Sequence, residues 1–377
     1  MELKEYRFDE VTINFDKKRV PLSGAQREKR QGDFRYYGAQ GVIDHIDDFI
    51  FDGTYLLIAE DGENLKSKKQ NIAQVVEGQF WVNNHAHIVQ GNELCNTRYL
   101  CYLLNSMDLS GYVTGSAQPK LSQANLNAVT LFLPSITVQE RIVECLYLFD
   151  KKIAVNQKIN DNLYEMVNAY YTSLFKESDC EMTTVGNYAE RIYSGGTPMT
   201  SNAAYWNGTF GWFSSGETRN RFVISTEKTI TQAGIDNSST KLATKYDIVM
   251  ASAGQGFTRG QTSMLLIDTY VNQSVIVIKS EKNILPYLFW NLANRYDELR
   301  AISDSSSIRG SLTTKMIAAF EIPLANEQSL QAFADFAWSV IPQIENNLLE
   351  NERLTALRDS LLPKLMSGEI DVSDIQL

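Results

Sequence analysis

Apolar side chains recur at helical spacing in two long stretches of the chain. The first runs from Pro134 to Phe175, and a similar stretch follows Pro323 near the end of the sequence. An offset of 191 residues superimposes their apolar positions, with steps of 4, 3 and 4 residues in both. The matched positions are Ile142, Leu146, Phe149 and Ile153 in the first stretch and Phe333, Ala337, Val340 and Ile344 in the second. Such steps are typical of a helix that packs along one partner helix.

Four asparagines interrupt this stripe at matched positions. Asn156 and Asn160 in the first stretch recur as Asn347 and Asn351 in the second. An asparagine in the seam between two helices lowers stability but favours one alignment. We therefore interpret the four as residues that fix the helix register.

Each helical stretch is predicted to form a short helix, a break and then a long helix. Pro342 would interrupt a continuous helix but is well tolerated in a first turn, so the second long helix is expected to begin near Ile341. The offset places the start of the first near Asp150, which gives it a length of ~40 Å.

The segments before each helical stretch are typical of short strands. Aromatic and β-branched runs alternate with Gly and Asp turn signals from residue 33 to residue 64. We predict one further strand at Phe80–Val89 and a helix at Thr97–Asn105. The second half repeats this order with different residues; YVNQSVIVI at Tyr270–Ile278, for example, corresponds to WVNNHAHIV at Trp81–Val89. A period near 190 residues predicts an α+β fold built as a tandem repeat.

Composition indicates a cytoplasmic protein. The four cysteines lack CxxC spacing, and the chain shows neither a signal peptide nor an apolar run long enough to span a membrane. The net charge of -10 argues against a nucleic-acid partner, but the acidity is uneven: residues 321–377 hold 3 basic and 10 acidic side chains. A polyanion would have to be met by local patches, or by other subunits that supply the positive field.

Motifs for catalysis are weak. Val249–Gly256 could be a strand with a Gly-x-Gly loop, but it lacks the third glycine of a dinucleotide site. The chain contains no Gly-Lys-Ser/Thr sequence and no Pro-Pro pair, which excludes a P-loop and the tetrapeptide of amino-methyltransferases. His85 and His87 would share one face of a strand, without a third metal ligand. Asp268 with Lys279 is only a fragment of a nuclease pattern.

Longer segments resemble the DNA-specificity subunit of type I restriction-modification systems. YSGGTPMTSNAAYWNGTFGWFSSGET at Tyr193–Thr218 is similar to one variety of this family, and the segment Val20–Leu65 to another. PSITVQERI and LLPKLMSGEI resemble the family's conserved regions. The resemblance covers essentially the whole chain.

This resemblance implies two strand-rich target-recognition domains separated by two long antiparallel helices with pseudo-two-fold symmetry. The domains are expected at residues 1–133 and 179–322, and the helical spacers at 134–178 and 323–377. Each domain would read one half of a bipartite, asymmetric DNA site. The helices would set the spacing and dock two modification subunits. The chain itself is expected to be non-catalytic and without cofactor. The modification subunits would use S-adenosylmethionine, and the restriction subunits would use ATP and Mg. Tight DNA binding is expected only in the assembled complex.

Residues for DNA contact are chosen by analogy between the modules and by their chemistry. Arg, Asn and Gln can contact base edges, whereas Lys120 is expected to hold a phosphate. In the first domain the candidates are Tyr37, Gln40, Asn64, Asn83, Asn84, His85, Gln118 and Lys120. In the second they are Thr197, Trp212, Ser214, Ser215, Arg219, Arg259, Gln273 and Arg309.

Two other functional classes stay open at this point. One module could hold an embedded methyltransferase or nuclease site, in which case the chain alone would modify or cut DNA. Alternatively, the chain could be a decoy that captures modification subunits without reading DNA.

Overall fold

The chain divides into two compact units. A computed structural model describes residues 2–68, 70–115, 118–175, 181–254, 257–305, 310–370 and 372. Unit 1 comprises residues 1–152 and 354–377, and unit 2 comprises residues 153–353. Each long helix therefore has residues in both units, and the domain boundaries given above stay predictions. Among the described residues, no helix combines the length and the apolar character needed to cross a membrane.

Unit 1 is built around a six-stranded sheet. The strands of the unit, including two outside the large sheet, are β1 Lys4–Arg7, β2 Thr12–Asn14, β3 Gln31–Gly38, β4 Gly41–Ile46, β5 Phe51–Ala59, β6 Ala73–Val82, β7 Ala86–Gly91 and β8 Thr130–Leu133. Its helices are α1 Gly24–Glu28, α2 Asn64–Ser67, α3 Thr97–Ser106 and α4 Gln123–Asn127, with 3₁₀ turns at Phe8–Glu10, Asp16–Lys18 and Ser110–Tyr112. The long helix α5, Ile136–Phe175, begins in this unit. The large sheet has the order β2-β7-β5-β6-β3-β4, and β1 pairs with β8.

Unit 2 repeats this plan, with the large sheet split in two. Its strands are β9 Met182–Thr184, β10 Ala189–Ser194, β11 Trp206–Phe213, β12 Phe222–Val223, β13 Lys228–Ile230, β14 Lys241–Ala243, β15 Ile248–Ala251, β16 Thr262–Leu265, β17 Thr269–Val271, β18 Val275–Ser280 and β19 Glu321–Pro323. Its helices are α6 Val185–Tyr188, α7 Gln232–Asp236, α8 Leu285–Asn294, α9 Tyr296–Ser305 and α10 Thr314–Ala318, with 3₁₀ turns at Ala203–Tyr205 and Ser215–Arg219. The second long helix, α11 Glu327–Ser367, begins here. The sheet orders are β10-β18-β15-β16-β12, β13-β11-β17-β14 and β19-β9.

Equivalent elements make equivalent pairings in the two units. The order β2-β7-β5-β6 corresponds to β10-β18-β15-β16, and β6-β3-β4 corresponds to β17-β11-β13. The parallel pairing of β3 with β6 in unit 1 recurs as β11 with β17 in unit 2. Strand β6 runs unbroken through Gly78, which has a positive φ, whereas residues 266–268 separate β16 from β17. The predicted α+β fold and tandem repeat are confirmed.

Each of two single strands expected from the sequence is divided into two strands that belong to different places in the sheets. Phe80–Val89 divides into β6 and β7, and Tyr270–Ile278 divides into β17 and β18. In both turns an asparagine side chain accepts a hydrogen bond from the amide two residues later: Asn83 from His85 (2.8 Å) and Asn272 from Ser274 (2.9 Å). This Asx turn interrupts the apolar run and separates the two strands. The two histidines therefore do not share one strand face.

The predicted break in each helical stretch is wrong. Helices α5 and α11 are continuous over 40 and 41 residues, or ~60 Å each. Pro342 lies inside α11, although a proline removes one hydrogen bond and costs roughly 3 kcal/mol in a helix interior. Its neighbours Val340, Ile341 and Ile344 are buried, and this burial offsets the cost. Because both ends of each helix pack on globular cores, helix length alone does not give a spacing of one DNA turn.

Within unit 2 the two long helices pack antiparallel. Phe175 contacts Phe333, with ring centroids 5.6 Å apart, and Tyr170 contacts Phe336 at 5.0 Å. Further along, the Asn347 side chain donates to Asn160 (2.8 Å), and the Asn156 side chain donates to Asn351 (2.9 Å). Asn160 therefore bonds to Asn347, the repeat equivalent of Asn156, and Asn156 bonds to Asn351, the repeat equivalent of Asn160. This is the pairing that a two-fold axis between the asparagine pairs requires.

We expect the Asn160–Asn347 pair to stabilise only the register in which both asparagines meet. Asn160→Leu should lower the free energy of unfolding by ~1–3 kcal/mol, because Asn347 loses its acceptor in a buried seam. Adding Asn347→Leu should recover most of this loss, since two leucines pack without an unpaired amide. Urea denaturation of the two single variants and the double variant measures the coupling. Asn162→Leu, on the exposed side of the same helix, is the control. Simple additivity of the two single effects would contradict the pairing.

Candidate DNA interface

Four chain segments of unit 1 meet at the ends of strands of the large sheet. They are residues 38–41, 60–63, 83–85 and 118–121, which we call the first loop cluster. The amide of Asn83 donates to the carbonyl of Tyr37 (3.0 Å), and the amide of Glu60 donates to that of His85 (2.9 Å). The amide of Leu121 in turn donates to the carbonyl of Glu60 (2.8 Å). Backbone hydrogen bonds thus hold the segments together independently of their exposed side chains.

Five predicted DNA-contact residues lie exposed on this cluster. They are Gln40, Asn84, His85, Gln118 and Lys120. The His85 ring contacts the Asp61 carboxylate at 2.7 Å, and Lys120 Nζ lies 3.3 Å from Glu60 Oε1. Carboxamides, an imidazole and an ammonium group on one surface supply donors and acceptors for base edges and phosphates. The sequence candidates that were far apart in the chain are therefore neighbours in the fold.

The other three first-domain candidates are buried and shape the loops. Tyr37 packs edge-on against Phe80, with ring centroids 5.7 Å apart. The Asn64 side chain donates to the carbonyl of Gln70 (2.7 Å) and accepts from its amide (2.9 Å). Asn83 uses its side-chain oxygen in the β6–β7 turn. We correct their expected role from base contact to loop support.

A buried ionic network lies under the first loop cluster. His87 Nδ1 lies 2.6 Å from the Asp16 carboxylate, and its Nε2 lies 2.8 Å from the carbonyl oxygen of Leu121. The ring therefore lies between a carboxylate oxygen and a backbone carbonyl oxygen. Arg19 bridges Asp16 and Glu60 (3.4 and 2.9 Å), and Glu60 reaches on to Lys120. The network joins strand β7 to the segment that carries Lys120.

The carboxylates of this network are stabilised in their charged form. Burial alone would raise the pKa of Asp16, but hydrogen bonds with His87 and the Ile88 amide, together with the charges of His87 and Arg19, hold that pKa below its ordinary value of 3.8. Burial opposes ionisation of Glu60 as well, yet its contacts with Arg19, His87 and Lys120 lower its pKa. Sequence reasoning missed this network because Asp16 and His87 lie 71 residues apart without a local motif.

Unit 2 holds a second loop cluster on the same backbone frame. It comprises residues 195–197, 214–219, 252–254 and 272–274, with Leu312 alongside. The amide of Asn272 donates to the carbonyl of Phe213 (3.1 Å), that of Ser252 to Ser274 (2.8 Å), and that of Leu312 to Ser252 (2.8 Å). These three bonds correspond to the three that hold the first cluster. They place Gln273 at the turn position that Asn84 occupies in unit 1.

The Ser-Gly-Gly-Thr-Pro motif owes its glycines to close backbone contacts. A Cβ atom on Gly195 would overlap the carbonyl oxygen of Val271, and one on Gly196 would overlap Ser239. Trp212 is buried and donates its indole N–H to the carbonyl of Gly196 (3.3 Å), so its expected base contact is corrected to loop support. Thr197 lies at the surface, where its hydroxyl donates to the side chain of Gln273.

The remaining second-domain candidates differ in exposure. Ser214 and Ser215 are half-buried at the start of a 3₁₀ turn, which Ser214 caps together with Glu217. Arg219 is exposed and pairs with Glu227. Arg259 is only 14% exposed, and it bonds to the carbonyl of Gly310 and to Asp304, which makes it a loop anchor rather than a free base reader. Arg309 lies outside the described residues.

The weak catalytic motifs do not assemble into a site. Among the described residues, no three His, Cys, Asp or Glu side chains gather as a metal ion would require. His85 lies exposed in a turn, whereas His87 is buried. Lys279 pairs with Asp247 (3.2 Å), while Asp268 accepts a hydrogen bond from the amide of Lys245 (2.8 Å). Residues 255 and 256 of the segment Val249–Gly256 lie outside the described residues.

Comparisons with known proteins agree on one family. The family described as "Type I restriction modification DNA specificity domain" matches residues 2–165 and 177–352. A type I restriction enzyme specificity subunit of Haemophilus influenzae is 34% identical over 138 residues, which cover 37% of this chain and 35% of that relative. One from Escherichia coli is 26% identical over 253 residues, covering 63% of this chain and 61% of the relative. These matches span less than two thirds of both relatives.

A solved structure shares the fold along nearly the whole chain. The S subunit of a type I restriction-modification system from M. genitalium superimposes with a TM-score of 0.59 at 14% identity. The match covers 97% of this chain and 96% of that one.

Asp16 should contribute stability that depends on pH. Asp16→Asn leaves His87 and Arg19 without their buried partner, so we expect a loss of ~3–5 kcal/mol in the free energy of unfolding near neutral pH. Because the pKa of Asp16 is lowered on folding, its contribution is full above 3.8 and is lost as the pH falls through the lowered value. Urea denaturation over this range should show the two proteins converging in acid. Asp33→Asn, at an exposed site, is the control. A difference that does not change with pH would argue against an ionised Asp16.

Proposed function

Because this chain belongs to the family of type I restriction modification DNA specificity domains, we propose that it is the DNA-specificity subunit of a type I restriction-modification complex. The first loop cluster reads one half of a bipartite site, and the second reads the other half. The chain itself is non-catalytic and directs partner subunits to their target. It carries no cofactor of its own.

One observation carries this proposal: the same backbone frame occurs in both units with different exposed side chains. The central turn position is Asn84 between β6 and β7 in unit 1 and Gln273 between β17 and β18 in unit 2. Both are carboxamides, which can bond to the edge of an adenine in the major groove. The surrounding residues differ, with His85 and Lys120 in the first cluster and Thr197 and Arg219 in the second. Two loop clusters with the same backbone hydrogen bonds but different exposed side chains suit a DNA site whose two halves differ in sequence.

The long helices set the spacing between the half-sites and dock the modification subunits. The asparagine pairs allow one register and thus one spacing. On the outer side of α5, Val155, Ile159 and Met166 are exposed at steps of 4 and 7 residues, which places them on one stripe. Such a stripe suits a partner helix, and the acidic C-terminal segment suits a basic one.

The partners supply the chemistry and much of the affinity. Modification subunits use S-adenosylmethionine for methyl transfer, and restriction subunits use ATP and Mg for translocation and cleavage. With a net charge of -10, the chain alone has an unfavourable field for a polyanion. Experiments on DNA reading therefore need the assembled complex.

Variants of the two turn amides test the function directly. The chain is co-expressed with its modification subunits, and the methylated positions in host DNA are sequenced to define the bipartite site. Asn84→Ala should relax one half-site and Gln273→Ala the other, each losing ~1–3 kcal/mol of discrimination, because one base-edge contact is removed in each. Gln328→Ala, at an exposed position in the first turn of α11, is the control. Uniform weakening across all sequences would mark both residues as phosphate contacts, and methylation by the chain alone would contradict a non-catalytic role.

Matched insertions test the role of the helices. Four residues inserted after Gln157 and four after Leu348 add about one turn to both helices, or ~6 Å. Because the insertions fall between the asparagine pairs in both helices, each pair can re-form. We expect the half-sites to keep their sequences while the spacer grows by about one or two base pairs, since ~3.4 Å of duplex separates neighbouring pairs. Methylation mapping measures both. An insertion after Gln157 alone should misalign the asparagines and reduce stability; altered half-sites at unchanged spacing would refute the spacer role.

A further inference from the structure

Phe257 is an exposed aromatic residue with no structural role of its own. Its side chain is 81% exposed, more than any other large apolar side chain in the described part of the chain. It lies between β15 and β16 in unit 2, just after residues 255 and 256, which the structure leaves undescribed. A phenylalanine in water forgoes the free energy of burial, so such a position calls for a reason.

The backbone around Phe257 is anchored although the ring is free. Tyr296 on α9 donates its hydroxyl hydrogen to the carbonyl of Phe257 (2.7 Å). Two residues later, Arg259 bonds to Asp304 and to the carbonyl of Gly310. The amide of Gly260 then donates to the carbonyl of Ala251 (2.9 Å). The exposed ring is therefore presented by a fixed backbone.

The anchors tie Phe257 to the second loop cluster. Ala251 at the end of β15 accepts from Gly260, and its neighbour Ser252 donates to Ser274 (2.8 Å) in the turn that carries Gln273. One strand end thus supports both the amide proposed to read a base and the loop that exposes the ring. Phe257 continues the proposed DNA surface.

The surroundings of Phe257 suit a nucleic acid better than a protein. The ring borders a cavity of about 430 Å³ that Arg219 and Arg221 also line. The guanidinium of Arg221 stacks over Tyr164 at 4.2 Å and has no ion pair among the described residues. The acidic lining residue is Glu165, on helix α5. An exposed ring beside the Arg221 guanidinium matches the stacking and phosphate contacts of DNA binding, and a protein contact instead is one outcome of the test below.

We propose that Phe257 stacks on a base of the second half-site, at a base step that the bound protein unstacks. Apolar side chains that enter a base step bend the duplex and bring more of it into contact with the protein. This inference rests on the proposed function, because it requires the second loop cluster to face DNA. It adds an aromatic contact that reads the stacking and deformability of the site rather than base edges.

The test compares Phe257→Ala and Phe257→Trp in the complex with modification subunits. The probe is a duplex that carries the bipartite site mapped by methylation, with 2-aminopurine at successive adenine positions of the second half-site. Wild type should raise the fluorescence at one position, because unstacking relieves quenching. Phe257→Ala should abolish this rise and weaken binding roughly tenfold to a hundredfold. Phe257→Trp should retain affinity. Met182→Ala, another exposed apolar position in unit 2, is the control.

The outcomes separate this inference from the proposed function. Since the ring is exposed, Phe257→Ala should leave the thermal unfolding temperature unchanged, so reduced binding cannot come from misfolding. Wild-type affinity in Phe257→Ala would overturn the stacking contact while leaving the function intact. Loss of modification-subunit assembly in that variant would overturn it too, in favour of a protein contact. Failure of the wild-type complex to bind any specific sequence would overturn the proposed function itself.

Discussion

The pairing of four asparagines in the helix seam is the constraint on which the repeat architecture depends. An apolar stripe alone would let two antiparallel helices slide by one turn, since leucine and isoleucine pack acceptably in several registers. The hydrogen bonds from Asn156 to Asn351 and from Asn347 to Asn160 form only in the register that brings these residues together. Sliding by one turn would leave amides unpaired in a buried seam, which costs more than the pair contributes. The register is thus enforced by the penalty for misalignment.

Below that constraint, each unit separates its frame from its reading surface. The frame consists of backbone hydrogen bonds such as Asn83 to Tyr37 and Asn272 to Phe213, which do not depend on side-chain identity. The exposed side chains of Asn84 and Gln273 take no part in these backbone hydrogen bonds. Substitution at these positions can change what the surface binds without unfolding the sheet. This division explains how two sequences with little similarity in their loops keep the same topology.

The features predicted from the sequence were those repeated or periodic in it. The 191-residue offset, the apolar stripe and the asparagines of the seam needed no knowledge of tertiary contacts, because each is a pattern along the chain. The helix break predicted at Pro342 is absent from α11, because burial of Val340, Ile341 and Ile344 outweighs the cost of a proline inside a helix. The sequence also did not show that Arg259 is bound inside the protein, because its partners Asp304 and Gly310 come from a distant segment. The contact between Asp16 and His87 could not be predicted from the sequence either. Ionic contacts between residues that are far apart in the chain produce no regular spacing in the sequence.

The two frames are stabilised by different physics. Under the first cluster, Asp16, His87, Arg19 and Glu60 form a buried ionic network that ends at Lys120. At the equivalent positions of the second cluster stand Ser252, in place of Glu60, and the fully buried Ile276, in place of His87. Hydrophobic burial there carries no protonation dependence, whereas the network loses its carboxylate contribution in acid. The two loop clusters share a backbone plan but differ at these two buried positions. Acid should therefore weaken the support that the Asp16 network gives to the Lys120 surface.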